Sequence, residues 1–581
     1  MSRQRALTGL LLGVLAALVW FSSTLAPLRI YQVDECQNLY MARIVATGRA
    51  SEFFTNASLF LLGPLCWIAG RAAPSPELFG AARLLFLGVF WLNLFLLALI
   101  ASERLYSTRC LIALIAAATL APLWDYGFEI RHDNLILTGV LLIWLAARAR
   151  PMGILSYLLA GAVFVSLLFI AVKAVVYVLP LSLVILAFPP RAHGTSRWRL
   201  ALAWGAGALL ATILIRISYG TGGLWEVYLS VFHGVAKYSA GGTGAGGGFR
   251  PWWVLGRLLG QTPLLLGLTA AGCFAVGVDL WRRGRAALTW DGNLPEALLV
   301  VGALAALMVN PTPYPYNLLH VVPYAFVLAF RYGTELCKEL WESTSLRPLI
   351  GAILVFAHLV PFASATRRHL NWPNLRQEQV MALAEDLTDP LKDPVYDGIG
   401  MVLTRPSIHF QWFLHSLNIR SFVKGTGPRV REMLAARPAA VFIPSYRTDW
   451  LPEEDHAFIR QHYVHLADDF WVLGKVLPAG GGSFEIDHPG RYRVSALNGS
   501  DLTGTYPEGF ESLMAPKEDG KLSGTLDGAL LSGQVVTLTV GSHRIETASD
   551  CQPAVVWVGP HLDRLPRIGP GDHQRLFVNW Y

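Results

Sequence analysis

The residues of this chain best equipped for chemistry fall in two short runs. "YQVDECQNLYMARIVATG" holds the adjacent Asp34 and Glu35, and "WDYGFEIRHDN" holds Glu129, Arg131, His132 and Asp133. A hydroxyl is a poor nucleophile, so a carboxylate must take its proton as it attacks. A departing phosphate carries negative charge, which an arginine can hold through two N–H donors at once. Two acidic groups with a cation between them are therefore what transfer of a sugar from a lipid phosphate to a hydroxyl requires. On this reading Asp34, Glu35 and Asp133 are catalytic candidates. Arg131, Glu129 and His132 are candidates for holding substrate.

Three more residues join the second group. Lys173 lies between the apolar runs "SYLLAGAVFVSLLFIAV" and "AVVYVLPLSLVILAF", where a cation is costly unless it faces water or a partner. It is read as a second phosphate ligand in an outer turn, against the alternative of a lysine reaching the lipid headgroups. Tyr316 and His320 sit in "NPTPYPYNLLHVVPY". They are either an interfacial anchor and a core histidine or part of the same site. His409 and His415 have no partner spacing and are read as structural. The glycine run from Gly241 to Gly248 lacks the G-K-[ST] ending of a phosphate loop and is read as an external loop. The triplets at Asn56 and Asn498 fit glycosylation acceptors by pattern only.

The elements that must position these residues are membrane helices. The 581 residues are 53% hydrophobic and 15% charged, with a mean hydropathy of +0.43, too apolar for ordinary soluble domains. Apolar stretches of roughly the 20 residues that span a bilayer recur as far as Pro361. The first is read as a retained helix rather than a cleaved leader. The net charge of +7 comes from arginines gathered in short connections, a positive-inside pattern and not a nucleic-acid surface. With Arg3, Arg5, Arg104, Arg109, Arg148, Arg150, the 191–199 run, "WRRGR" and 331–347 placed inside, about eleven helices satisfy the pattern, and the C-terminal region falls outside. Both acidic runs, Lys173 and the Tyr/Pro-rich loop then share the outer face. Residues 57–69 are apolar but interrupted by Gly63 and Pro64, and read as an interfacial or re-entrant helix. Cys36 and Cys66 share that outer loop, either bonded or as buried thiols.

The expected organisation is a helical membrane domain over 1–365, a soluble α/β domain over 374–478 and a β-sandwich over 482–581. In the second, "QEQVMALAEDL", "GPRVREMLAAR" and "PEEDHAFIRQHY" read as helices between the strands "AAVFIPS" and "FWVLGKVL". "PAGGGS" reads as a linker, followed by the period-two runs "SFEIDHPGRYRVSAL" and "GQVVTLTVGSHRIETA".

These residues resemble the membrane-embedded glycosyltransferases of the GT-C class, in particular bacterial relatives of the protein O-mannosyltransferases and of the lipid A aminoarabinose transferase. The matching marks are Asp34 and Glu35 followed by "NLYMARIVATG", the "EIRHD" cluster, Lys173, and the Tyr/Pro-rich loop before "LLHVVPY". The resemblance covers the membrane half to about residue 365 and extends more loosely into the α/β domain. It implies that Asp34 is the general base, that basic residues hold the carrier phosphate, and that transfer from a polyprenyl-phosphate sugar inverts the anomeric centre. The sequence departs from the pattern at Gly63, Pro64 and Leu65, where the family has "K-P-P-L". The partners implied are the lipid-linked donor, a lipid, glycan or protein acceptor, and membrane lipids. Metal use differs within the class, so a divalent cation is left open. The localisation implied is the bacterial inner membrane. The rival reading is a transporter or flippase, but transporters carry their ionisable groups at the bilayer midplane, whereas these acids lie at outer helix ends.

Overall fold

The computed structural model describes the chain except for residues 1, 50–62, 150–151, 190–194, 220–224, 227–228, 230–250, 285–293, 311–312, 335–346, 410–411, 415–428, 468, 498–521, 532–534, 549, 561–575 and 578–581. The 241–248 glycine run, the Asn56 and Asn498 triplets, His415 and the 57–62 part of the expected interfacial helix lie outside the described residues.

The helical half begins with α1 (Ser2–Leu28) and the shorter α2 (Val33–Ala46) and α3 (Pro64–Ala69). It continues through α4 (Ser75–Ser102), α5 (Thr108–Ala118), α6 (Ala121–Tyr126), α7 (His132–Ala149), α8 (Ile154–Ile170) and α9 (Ala174–Ala187). Then come α10 (Arg197–Ser218), α11 (Pro251–Gln261), α12 (Pro263–Arg283) and α13 (Leu294–Val309). A 3₁₀ turn (Pro315–His320), α14 (Val322–Leu328) with a π-helical end, and α15 (Arg347–Asn371) complete it.

Among the described residues five helices, α1, α4, α10, α12 and α15, are long and apolar enough to cross a bilayer singly. Other apolar runs are cut by backbone chemistry. Pro122 opens α6 just after α5 ends and Pro323 follows the 3₁₀ turn, because proline removes a helix donor and clashes with the preceding turn, while α9 runs unbroken through Pro180. The expected figure of eleven therefore does not emerge as eleven unbroken helices. Large apolar side chains on α1, α8, α10 and α15 stay exposed, among them Trp20, Leu155, Leu202, Ile217 and Phe356. That surface suits lipid. Helices α8 and α10 touch backbone to backbone, and a Cβ on Gly207 would sit 1.8 Å from the Leu158 carbonyl oxygen.

The C-terminal half contains α16 (Leu375–Leu387), α17 (Val430–Ala436) and α18 (Glu453–His462), matching the three expected helical segments. Its strands are β1 (Val395–Tyr396), β2 (Val441–Phe442), β3 (Tyr463–Ala467), β4 (Phe470–Val476), β5 (Gly481–Ile486) and β6 (Gly490–Leu497), then β7 (Gly524–Leu526), β8 (Ala529–Leu530), β9 (Val535–Leu538), β10 (Gly541–Thr547) and β11 (Gln552–Trp557). One sheet runs β1-β2-β4-β11-β6-β9 with β3 on β4, and a second runs β5-β10-β7-β8. The expected linker near Gly480 does not separate two independent sheets. Strand β4 pairs antiparallel with β11, Ala554 opposite Val476, so the regions expected as two domains share one hydrogen-bonded ladder. Each period-two run instead sends its first and second strands to different sheets.

Helix α2 packs into the soluble half. Tyr31, Cys36, Leu39 and Tyr40 share a hydrophobic core with Tyr396, Met401, Trp412 and Phe442, while α5, α7 and α14 build a separate one. The chain crosses between the halves beside it, where the backbone N–H groups of Ile30 and Asn374 donate to the carbonyls of Trp372 and Leu28 at 3.1 and 2.8 Å. Gln377 donates to and accepts from the Tyr31 backbone at 3.0 and 2.7 Å. Cys36 and Cys66 are free thiols.

Candidate active site

The start of α2 is fixed by its own sequence. Glu35, at the third helical position, reaches back to accept the Gln32 N–H at 2.9 Å, half of a capping box that satisfies an otherwise orphaned donor. The same carboxylate receives Arg83 of α4 through Nε and Nη2, and the Ile130 N–H at 2.9 Å. It is fully buried, with both oxygens occupied.

Asp34 is arranged differently. Its side chain is 35% exposed, and its Oδ2 accepts from Arg131 Nη1 at 2.5 Å. Arg131 itself is buried and stands at the end of the connection from α6 to α7. That connection is held by Asn134, whose side-chain amide donates to the carbonyls of Tyr126 and Glu129 at 3.1 and 2.9 Å. Asn38 of α2 donates to the Ile130 carbonyl at 3.0 Å, so the two acidic runs are tied together through backbone.

Asp133, in the first turn of α7 where the helix N-terminus favours an anion, gathers two cations and two imidazoles. Lys173 Nζ lies 2.9 Å from its Oδ1, Arg131 Nε 3.3 Å from its Oδ2, His320 Nε2 3.3 Å from Oδ1 and His132 Nε2 3.5 Å from Oδ2. Lys173 occupies the turn between α8 and α9, as its position between two apolar runs predicts. The Tyr316 ring covers both cations, with the Arg131 guanidinium carbon 3.5 Å and Lys173 Nζ 4.5 Å from its centroid. Such cation–π contacts hold charge without neutralising it. His320 stacks on Tyr177 at 3.7 Å, and Asn310 donates to the Tyr177 hydroxyl at 3.2 Å.

Eight of the nine residues singled out in the sequence thus converge around Asp34 and Asp133 or brace them. Glu129 stands at the edge, 2.6 Å from Arg29 and 3.9 Å from Arg131. Sequence reasoning missed Arg83, Arg29 and Tyr177. Arg83 carried a usable signal, since an arginine inside a 28-residue apolar helix must have a buried partner.

Burial alone would raise the Asp34 carboxyl, but Arg131, then Arg447 and Lys173, outweigh it and hold the group below the usual carboxylate value. The charges around Asp34 thus favour its ionised form. Among the described residues no group of three or more His, Cys, Asp or Glu side chains is placed to hold a metal ion.

The broken-helix domain with its acidic and basic groups at one end, followed by a sheet-containing soluble half, is a fold this chain shares with a solved structure, and its long apolar helices make it an integral membrane protein. No protein-family model matches the sequence, and no curated protein matches it. Among solved structures, ArnT from Cupriavidus metallidurans in the apo state aligns with a TM-score of 0.50 at 14% identity, covering 81% of this chain and 98% of that one. The same ArnT bound to undecaprenyl phosphate gives 0.47 at 14%, covering 80% and 98%. The archaeal oligosaccharyltransferase AglB from Archaeoglobus fulgidus, in complex with an inhibitory peptide and a dolichol-phosphate, gives 0.44 at 11%, covering 79% and 74%.

Proposed function

We propose that this chain is an inverting glycosyltransferase that moves a sugar from a polyprenyl-phosphate donor to an acceptor hydroxyl on the outer face of a bacterial inner membrane. The observation that carries this is the pairing of the one partly open carboxylate of the cluster, Asp34, with a buried guanidinium, Arg131, whose charge is shared with Lys173 across Asp133.

In this reading the donor phosphate displaces part of the Tyr316 cover and binds Arg131 and Lys173. The acceptor hydroxyl approaches the open side of Asp34. Its oxygen forms the bond to the anomeric carbon, its proton passes to the Asp34 carboxylate, and the electron pair of the breaking C–O bond leaves on the carrier phosphate. Asp133 holds the two cations apart at fixed distance, so the site pays little reorganisation as charge develops. His132 and His320 brace Asp133, and Glu35, with its oxygens already occupied, positions Asp34 rather than exchanging protons. Glu129 anchors the connection that carries Arg131. A divalent cation fits this donor set poorly, because Asp34 and Asp133 are already paired with Arg131 and Lys173.

The ArnT structure with undecaprenyl phosphate and the AglB structure with dolichol-phosphate suggest the donor class to test first. The experiment reconstitutes the chain in nanodiscs, supplies undecaprenyl-phosphate sugars with a membrane lipid and glycan extract, and measures release of undecaprenyl phosphate. Release by wild type and not by Asp34→Asn is expected. If no donor is consumed while labelled lipid crosses proteoliposomes, the chain is a flippase instead.

A further inference from the structure

Arg447 belongs to the soluble half, in the turn after β2, yet its charge acts on Asp34. The turn is set by Ser445 and Thr448, whose side chain and backbone exchange hydrogen bonds at 2.7 and 2.9 Å. Arg447 Nη1 donates to the Leu414 carbonyl at 2.7 Å, and its guanidinium lies 5.7 Å from the Phe413 ring centroid and 5.9 Å from that of Tyr446. Phe413 packs on Trp412 at 5.8 Å and Trp412 on Tyr40 of α2 at 5.0 Å. A continuous aromatic chain thus links the arginine to the helix that Asp34 begins. Arg447 Nε is buried and has no hydrogen-bond partner among the described residues. A buried unpaired donor on a cation is costly, and a ligand oxygen would remove that cost. Beside it Tyr446 meets Trp450 edge-on at 5.8 Å, and Trp450 is 46% exposed, which gives a flat apolar surface next to a hydrogen-bond donor.

We infer that Arg447 is a working residue of the transfer site, supplied by the soluble half, which positions the oxygen-rich acceptor beside Asp34. The inference rests on the transferase reading above. The carrier phosphate is assigned to Arg131 and Lys173, so the open side of Asp34 is left to the acceptor, and Arg447 is the cation that comes from the soluble half. The titratable and charged groups whose fields reach Asp34 are Arg131, which bonds it from just before α7, His132 at the start of α7, Lys173 from the turn before α9, Tyr316 from the 3₁₀ turn, and Arg447. Glu35, on the same helix, is turned into Arg83.

The test uses the full chain in nanodiscs with the undecaprenyl phosphate release assay, run against increasing membrane extract and across pH, alongside direct binding of undecaprenyl phosphate. Arg447→Gln is expected to raise the extract needed for half-maximal release by about tenfold. It should move the acid limb of release upward, because one cation no longer favours the carboxylate, and leave undecaprenyl phosphate binding within about twofold. Arg447→Lys keeps the charge and loses the planar fork, so it should restore the acid limb while extract saturation stays weak. Wild-type saturation and pH dependence in Arg447→Gln would overturn the inference. So would loss of undecaprenyl phosphate binding in step with release, which would move Arg447 to the donor side. If Arg447→Gln does not fold, Arg447→Lys decides, since wild-type saturation in that variant also overturns it. Failure of the transferase reading is distinct: wild type itself would then release nothing.

Discussion

At the scale of single residues, neighbouring carboxylates sit in opposite environments. Asp34 meets one buried arginine and solvent, whereas Glu35 meets a buried arginine and two backbone donors. Asp34→Asn should therefore cut turnover by about 10² to 10⁴ with undecaprenyl phosphate binding nearly intact, read as separate kcat and binding measurements. Arg131→Ala should weaken that binding and slow transfer together, and Arg131→Lys should recover only part of either, because the bidentate fork is lost. The pH sign follows from the cations. Asp34 is held below the usual carboxylate value, so its base function is present above that lowered pKa and lost only as pH falls through it. Removing Arg131 should shift the acid limb of the rate profile upward, and an unmoved limb would mean another group is the base. Arg83→Met should behave as a folding lesion. It strands the Glu35 carboxylate without its cation, which for a buried pair costs roughly 3–5 kcal/mol, and should show as a lower melting temperature in detergent.

At the scale of elements, α2 is braced at Tyr40, more than one turn beyond Asp34 and Glu35, by a loop of the soluble half. Asp397 accepts the N–H groups of Ile399, Gly400, Met401 and Val402 at 2.9, 2.7, 2.6 and 3.2 Å, curling residues 397–402 into a tight knot against Tyr40. Gly400 has φ +80°, and a Cβ there would lie 2.9 Å from the Tyr40 Cβ. Gly400→Ala should therefore push the knot off α2, lowering stability by about 1–3 kcal/mol and lowering transfer more than undecaprenyl phosphate binding. Thermal unfolding and the release assay measured on one preparation check both. Equal stability to wild type would mean the loop yields without strain.

At the scale of the whole molecule, the site exists because a membrane bundle and a soluble sheet meet over α2. The shared ladder predicts that ending the chain after Gly480 removes β11 from β4 and exposes a long apolar edge, so the truncated protein should aggregate rather than retain a folded soluble half, as followed by size-exclusion chromatography. Reporters fused after Arg104 and at the C-terminus should read inside and outside respectively. The opposite result would place the Asp34 cluster on the cytoplasmic face. Sequence alone determined the apolar helices and the period-two strands and singled out Asp34, Arg131, Asp133, Lys173, Tyr316 and His320 as candidates, because hydrophobic period, charge at helix ends and proline placement are local signals. It also pointed to one face, through the arginine distribution. Only the tertiary structure separated Asp34 from Glu35, found Arg83, Tyr177 and Arg447, and joined the two C-terminal regions into one sheet. Burial and partners hundreds of residues apart decide whether a carboxylate is open or clamped. Pairing between β4 and β11 is set by packing across the molecule rather than by any spacing along the chain.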